Sequence, residues 1–265
     1  MSAHGTLLLL TLASLVAAAI NAMAGGGTFI TFPALTGIAR LSEKAANITS
    51  TVGLWPGYAA SVVAARRALR ALGARTGFVY AVIGAAGGVA GAILLLTTST
   101  SAFAKALPWL LALGTMLFAC GPRIHRWATR SGGDARGPGP TSPIVLAITL
   151  VIAVYNGYFG AGGGVLLLAG MAALMPGDVR RINLLKVIIQ VTANASAILV
   201  FLSAGIDWSI AATMAVGSAC GGFVGMRLAD RMPAKVLHGV IVAVGATLTV
   251  AYFARAYDIR LLWSP

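Results

Sequence analysis

Lys186 is the one basic side chain inside an apolar stretch of this 265-residue sequence. A cation held away from water attracts an anion, and an ionisable group in the apolar part of a membrane chain is a functional candidate by default. Asn183, Lys186 and Gln190 stand three and four residues apart, so on a helix they share a face. Thr192 and Asn194 continue the polar character, and an earlier stretch offers Asn47, Thr49, Ser50 and Thr51. Ahead of each polar stretch stand an alanine and three glycines, Ala24-Gly25-Gly26-Gly27 and Ala161-Gly162-Gly163-Gly164. Each glycine costs a helix about 1 kcal/mol relative to alanine, so a helix should break at both places. Helices restarting near Thr28 and Val165 would aim free N–H groups and a partial positive charge at the breaks. The chemistry such groups offer is anion binding.

Blander readings compete. The glycines could serve close helix packing alone, although packing motifs usually space their glycines. Lys186 could stretch to the membrane interface, since Arg181 is only five residues away. Asn47 and Asn183 could cap helices instead of touching a ligand. The six acidic residues (Glu43, Asp134, Asp178, Asp207, Asp230 and Asp258) all fall in loops or at helix ends. Neither a relay of buried carboxylates nor an acid-built cation site is therefore indicated. His4, His125 and His238 lack metal-ligand spacing, and no serine–histidine or cysteine–histidine arrangement suggests hydrolysis. The sequence points to no enzyme, no metal and no cofactor. Cys120 and Cys220 fall in apolar stretches and read as small buried residues.

The elements that must position these groups are transmembrane helices. The chain is 58% hydrophobic and 9% charged with a mean hydropathy of +0.90, against about 25% charged residues in soluble domains. Apolar runs cover 6–23, 28–38, 47–65, 78–96 and 104–120, then 144–159, 165–175, 182–203, 208–226 and 236–253. Several reach the roughly 20 residues that cross a bilayer, and they are too long for barrel strands. The class is an all-α polytopic membrane protein. Met23-Ala24 resembles the end of a signal peptide, but no Lys or Arg precedes the apolar run, so the N-terminus reads as mature structure. The net charge of +13 arises from arginines clustered between apolar runs, which is a topology signal rather than a nucleic-acid surface.

The series occurs twice. Asn47 aligns with Asn183, Ser50 with Lys186, Gly87-Gly88-Val89-Ala90-Gly91 with Gly221-Gly222-Phe223-Val224-Gly225, and Ala104-Lys105 with Ala234-Lys235. This divides the chain into a first repeat, 1–121, a basic cytoplasmic linker, 122–143, and a second repeat, 144–265. If every half crossed four times, the basic residues would split almost evenly between the two sides. If each glycine segment instead turns the chain back as a hairpin, thirteen fall on one side (Arg66, Arg67, Arg70, Arg75, Arg123, Arg126, Arg130, Arg136, Arg180, Arg181, Arg227, Arg231, Lys235) and five on the other (Arg40, Lys44, Lys105, Arg255, Arg260). That bias predicts inverted halves, each a glycine-broken hairpin plus three helices, with both termini outside the cytoplasm.

At these residues the sequence resembles the sulfite exporter TauE/SafE family of membrane permeases. The resemblance rests on the duplicated Ala-Gly-Gly-Gly segments, Pro33, the Asn47-Ile48-Thr49-Ser50 stretch and Gly157 to Gly164, and it covers nearly the whole chain. It implies transport of sulfite, sulfoacetate and similar small organosulfur anions, often outward, across the inner cell membrane. It places substrate near Gly25 to Gly27, Gly162 to Gly164, Asn47 and Asn183. The second half carries Gly170 where the first has Pro33, so the two hairpins need not be equivalent. Lys186 is not part of the family motif and stands on its own chemistry. The combined expectation is a secondary transporter of small anions working by alternating access. Its substrate would meet Gly25, Gly26, Gly27, Thr28, Asn47, Ser50, Gly162, Gly163, Gly164, Asn183, Lys186 and Gln190. The expected partners are a small anionic substrate and the lipid bilayer; nucleic acid is not among them, and a homodimer is left open. A channel or permease for an uncharged solute, or a non-transporting membrane scaffold, is the alternative.

Overall fold

The computed structural model describes residues 3–23, 25–130, 139–175, 179–229 and 234–257. Among them all regular structure is helical. The first half contains α1 (Ala3–Met23), α2 (Thr28–Pro33) with a π-helical turn (Ala34–Ile38), α3 (Glu43–Ala71), α4 (Ala74–Thr97) and α5 (Thr100–Arg130). The second contains α6 (Pro143–Tyr158), α7 (Gly163–Leu174), α8 (Val179–Phe201), α9 (Trp208–Leu228) and α10 (Ala234–Ala256). Five stretches, in α1, α4, α5, α8 and α9, are long and apolar enough to cross a bilayer. Phe78, Val151, Leu199 and Val216 are about two-thirds exposed or more, as side chains facing lipid would be.

Local chemistry explains the boundaries. Ser42, Ser142 and Asp207 accept N-capping bonds at the starts of α3, α6 and α9, and Pro143 occupies the first turn of α6 where its missing N–H costs nothing. Beyond Pro33 the ladder loosens, with Ala39 N–H donating to Ala34 and Leu41 N–H to Leu35. Helix α5 runs on to Arg130, past the apolar run that ends at Cys120 and into the stretch expected as linker. The remainder of that stretch lies outside the described residues over 131–138, as do Ala24, 176–178, 230–233 and the last residues from 258.

Glycine-lined contacts set the helix directions. Along α9, Gly217, Gly221 and Gly225 lie against Thr11, Leu15 and Ala19 of α1, rising together. Gly53 and Gly57 of α3 meet Met214 and Ser218 of α9 in the same sense, and Ser218 Oγ donates to the Gly53 carbonyl at 2.7 Å. The equivalent helix α4 sets Gly84 and Gly88 against Ile189 and Ala193 of α8, and Gly87 and Gly91 against Ala153 and Gly157 of α6. Absent side chains let these backbones approach closely. Helices α3 and α8 run oppositely: Trp55 Nε1 donates to the Val191 carbonyl, while Ala64 and Arg67 share a cavity with Asn183 and Arg180. It follows that α1, α3 and α9 point one way and α4, α6 and α8 the other. The pairings α1–α9 and α3–α9 thus recur as α6–α4 and α8–α4, with the halves exchanged.

Candidate functional site

Both glycine segments interrupt the chain within the buried core. Gly25, Gly26 and Gly162 have φ of +82°, +92° and +79°, a left-handed conformation that a side chain disfavours. The two breaks touch, for a Cβ added to Gly25 would stand 2.7 Å from the backbone of Gly164 and of Val165. An asparagine stands near the end of the helix before each break, but only the first staples its break, since Asn156 Oδ1 and Nδ2 are both buried without a partner. Asn21 Oδ1 accepts from Gly27 N–H at 2.6 Å, and the Asn156 carboxamide lies against Gly163. The N–H groups of Gly26, Thr28 and Gly164 have no hydrogen-bond partner among the described residues, although all three residues are buried. Buried N–H groups are normally paired, and the first turn of a helix leaves such donors without intrahelical partners.

The polar helices α3 and α8 reach across to the opposite half's break. Lys186 is fully buried, and its Nζ donates to the Asn21 carbonyl at 2.9 Å and the Ala22 carbonyl at 3.3 Å. It therefore sits at the C-terminal end of α1, where a helix concentrates partial negative charge, and does not reach a surface. No carboxylate among the described residues pairs with it. On the other side, Asn47 Nδ2 donates to the Tyr158 carbonyl, the last residue of α6, at 2.9 Å. The first half's hairpin is thus bonded by a lysine amine and the second half's by an asparagine carboxamide.

The remaining expected residues divide into two groups. Gln190 lies beside Gly164, with Oε1 buried and unpaired, and Thr28 Oγ1 lies near Gly160. Asn47 Oδ1, Thr49 Oγ1 and Asn183 Oδ1 are likewise buried without a partner. Ser50, by contrast, shares a 2.7 Å hydrogen bond with Thr31 of α2, so its hydroxyl is engaged inside the first hairpin. Asn183 lies toward the cytoplasm-facing end expected from charge, lining a cavity of about 420 Å³ with Met23, Arg67, Arg180 and Arg227. Sequence reading passed over Asn21 and Asn156. The available signal was their recurrence, one polar residue shortly before each glycine triplet in an otherwise apolar run.

Comparison with known proteins agrees with this architecture. The model of the family described as sulfite exporter TauE/SafE matches residues 10–252. A Sinorhizobium protein named "probable membrane transporter protein ORF9" is 29% identical over 259 residues, covering 96% of this chain and 95% of its own. A Haemophilus influenzae protein named "probable membrane transporter protein" is 24% identical over 239 residues, covering 88% and 89%.

Proposed function

Since this chain belongs to the sulfite exporter TauE/SafE family, we propose that it is a multi-pass membrane transporter for small anions. The observation that carries this reading is the contact of the two glycine breaks, with unpaired N–H groups from both halves beside it. Backbone donors at the restart of broken helices suit an oxyanion, and Lys186 brings a basic amine to the first break. The carboxamide oxygens of Asn47 and Gln190 favour a ligand that also carries a donor, as a partly protonated oxyanion or a hydroxylated or amino sulfonate does. Sulfite and short organosulfonates meet these requirements.

Transport would proceed by alternating access between two inverted halves. The opposed directions of α1 and α6, of α3 and α8, and of α4 and α9 support that reading. Each hairpin packs on its own half's polar helix and is hydrogen-bonded by the other half's, through Lys186 and Asn47, so a rocking motion would carry the breaks together. The arginine-lined cavity opens beside the linker end, where Tyr80 Oη donates to the Pro140 carbonyl. With the linker in the cytoplasm, as the positive-inside rule favours, substrate would enter from inside and leave outward across the inner membrane.

Flux into proteoliposomes tests the proposal. The purified chain should move sulfite or ethanesulfonate down an imposed gradient, and Lys186→Met should raise the half-saturating concentration by about tenfold, the worth of one charge-assisted contact. Absence of movement for any of these anions under any gradient would overturn the transporter reading. Unchanged half-saturation in Lys186→Met would remove the lysine from the anion's surroundings.

A further inference from the structure

The cavity at the linker end belongs to neither glycine break, yet it is built for the same chemistry. Three helices from both halves deliver an arginine to it: Arg67 from the end of α3, Arg180 from the start of α8 and Arg227 from the end of α9. Met23, two residues ahead of Gly25, and Asn183 also line it. Among the described residues, none that lines it is acidic. The Arg227 guanidinium lies 4.2 Å from the centre of the Phe223 ring, a cation–π contact that restrains it.

We propose that this vestibule is a second, outer oxyanion site, distinct from the glycine breaks. Positive-inside topology accounts for arginines at this end of the molecule. It does not by itself account for three of them, from separate helices, around one concavity. A concave basic mouth with low-dielectric walls concentrates anions, and a guanidinium fork engages two oxygens of a sulfonate or phosphate at once. A volume of about 420 Å³ admits a free organosulfonate or the phosphate of a lipid headgroup. The proposal deepens the anion-transport reading by giving that route its inner mouth, but oxyanion binding here does not require that transport occur.

The test uses the full chain in nanodiscs of neutral phosphatidylcholine, with ethanesulfonate as the probe in calorimetry. Wild type should bind it in a manner weakened by added sodium chloride. The Arg67→Gln/Arg227→Gln double variant should bind about tenfold more weakly, with Arg67→Lys/Arg227→Lys restoring most of the affinity. A second arm replaces a third of the lipid with phosphatidylglycerol and counts retained lipids by native mass spectrometry. Retention by wild type and loss in the double glutamine variant would identify a headgroup as the occupant, whereas binding of ethanesulfonate undiminished by that lipid would identify a free anion. Either result sustains the outer site. If neither ligand distinguishes wild type from a monodisperse double variant, the proposal falls; should the double variant not purify, Arg227→Gln alone serves. Gly25→Ala separates the two claims, since it should abolish flux while leaving vestibule binding intact. Binding without flux in wild type would defeat the transporter reading and spare this one.

Discussion

Gly25 is constrained twice over at the first break. Alanine there would combine a positive φ with an overlap against the Gly164 backbone, which cannot swing aside as a side chain can. We expect Gly25→Ala to abolish flux and to lower stability by roughly 2–4 kcal/mol, from left-handed strain plus overpacking, visible as an earlier thermal unfolding transition in detergent. Asn21→Ala leaves Gly27 N–H without its 2.6 Å acceptor and should cost about 1–3 kcal/mol by the same measurement, with flux reduced. A transition unchanged in both variants would mean the first break is not held as described. Much of this chemistry was legible beforehand: the consecutive glycines announced the breaks, and Lys186 stood out by lying in an apolar run. Its target was not legible, because the carbonyls it serves come 165 and 164 residues earlier, and nothing local encodes such a pairing. Asn21 and Asn156 escaped notice because one asparagine in an apolar helix has no distinguishing pattern until the chain folds back on it.

The helices are held by faces, and α4 and α9, one in each half, carry the tightest ones. Gly222 of α9 packs on the backbone of Gly57 in α3, and Ser61 Oγ donates to the Gly222 carbonyl at 3.0 Å. Gly222→Val should therefore separate these backbones and cost at least about 1–3 kcal/mol, lowering the thermal transition, whereas Gly205→Val, with open space around it, should not. The start of α9 gives a pH-dependent test. The Ile210 N–H, helped by the Ser209 hydroxyl, holds the Asp207 carboxyl below the usual carboxylate range. A depressed folded pKa means that this stabilisation is present above the unfolded value near 3.9 and disappears as pH falls through the folded value. Asp207→Asn, which still caps but does not titrate, should show a thermal transition less sensitive to pH below about 4; identical profiles would remove Asp207 as a titrating cap. The apolar runs located every helix from sequence, but not every end. Composition set the end of α5 at the apolar boundary, although arginines and alanine are good helix formers and carry the backbone on to Arg130. The loosened turn after Pro33 likewise follows from a missing N–H that hydropathy does not register.

For the whole molecule, charge and packing lead to one arrangement. The ends of α3 and α9 and the starts of α4 and α8 lie together at the linker end, bringing Arg66, Arg67, Arg70, Arg75, Arg180, Arg181 and Arg227 to one side. At the other end Glu43 lies 3.8 Å from Arg255, and Lys44 Nζ caps α4 through the carbonyls of Leu96 and Thr98. A reporter fused to the C-terminus should accordingly be active outside the cytoplasm and silent when it requires the cytoplasm; the opposite outcome would reverse the orientation and the proposed direction of export. The duplication was legible because its landmarks recur in order, and the charge count favoured inversion over parallel repeats. What the chain could not disclose is that Lys186 and Asn47 each hydrogen-bond the other half's hairpin, since that exchange exists only in three dimensions. If an anion is held between the two glycine breaks, anomalous diffraction from crystals grown with 2-bromoethanesulfonate should show a bromine peak beside them. Sulfonate oxygens should then lie within hydrogen-bond distance of both Thr28 N–H and Gly164 N–H. A sulfonate found at saturation only in the arginine vestibule, or contacting one break and not the other, would contradict that placement.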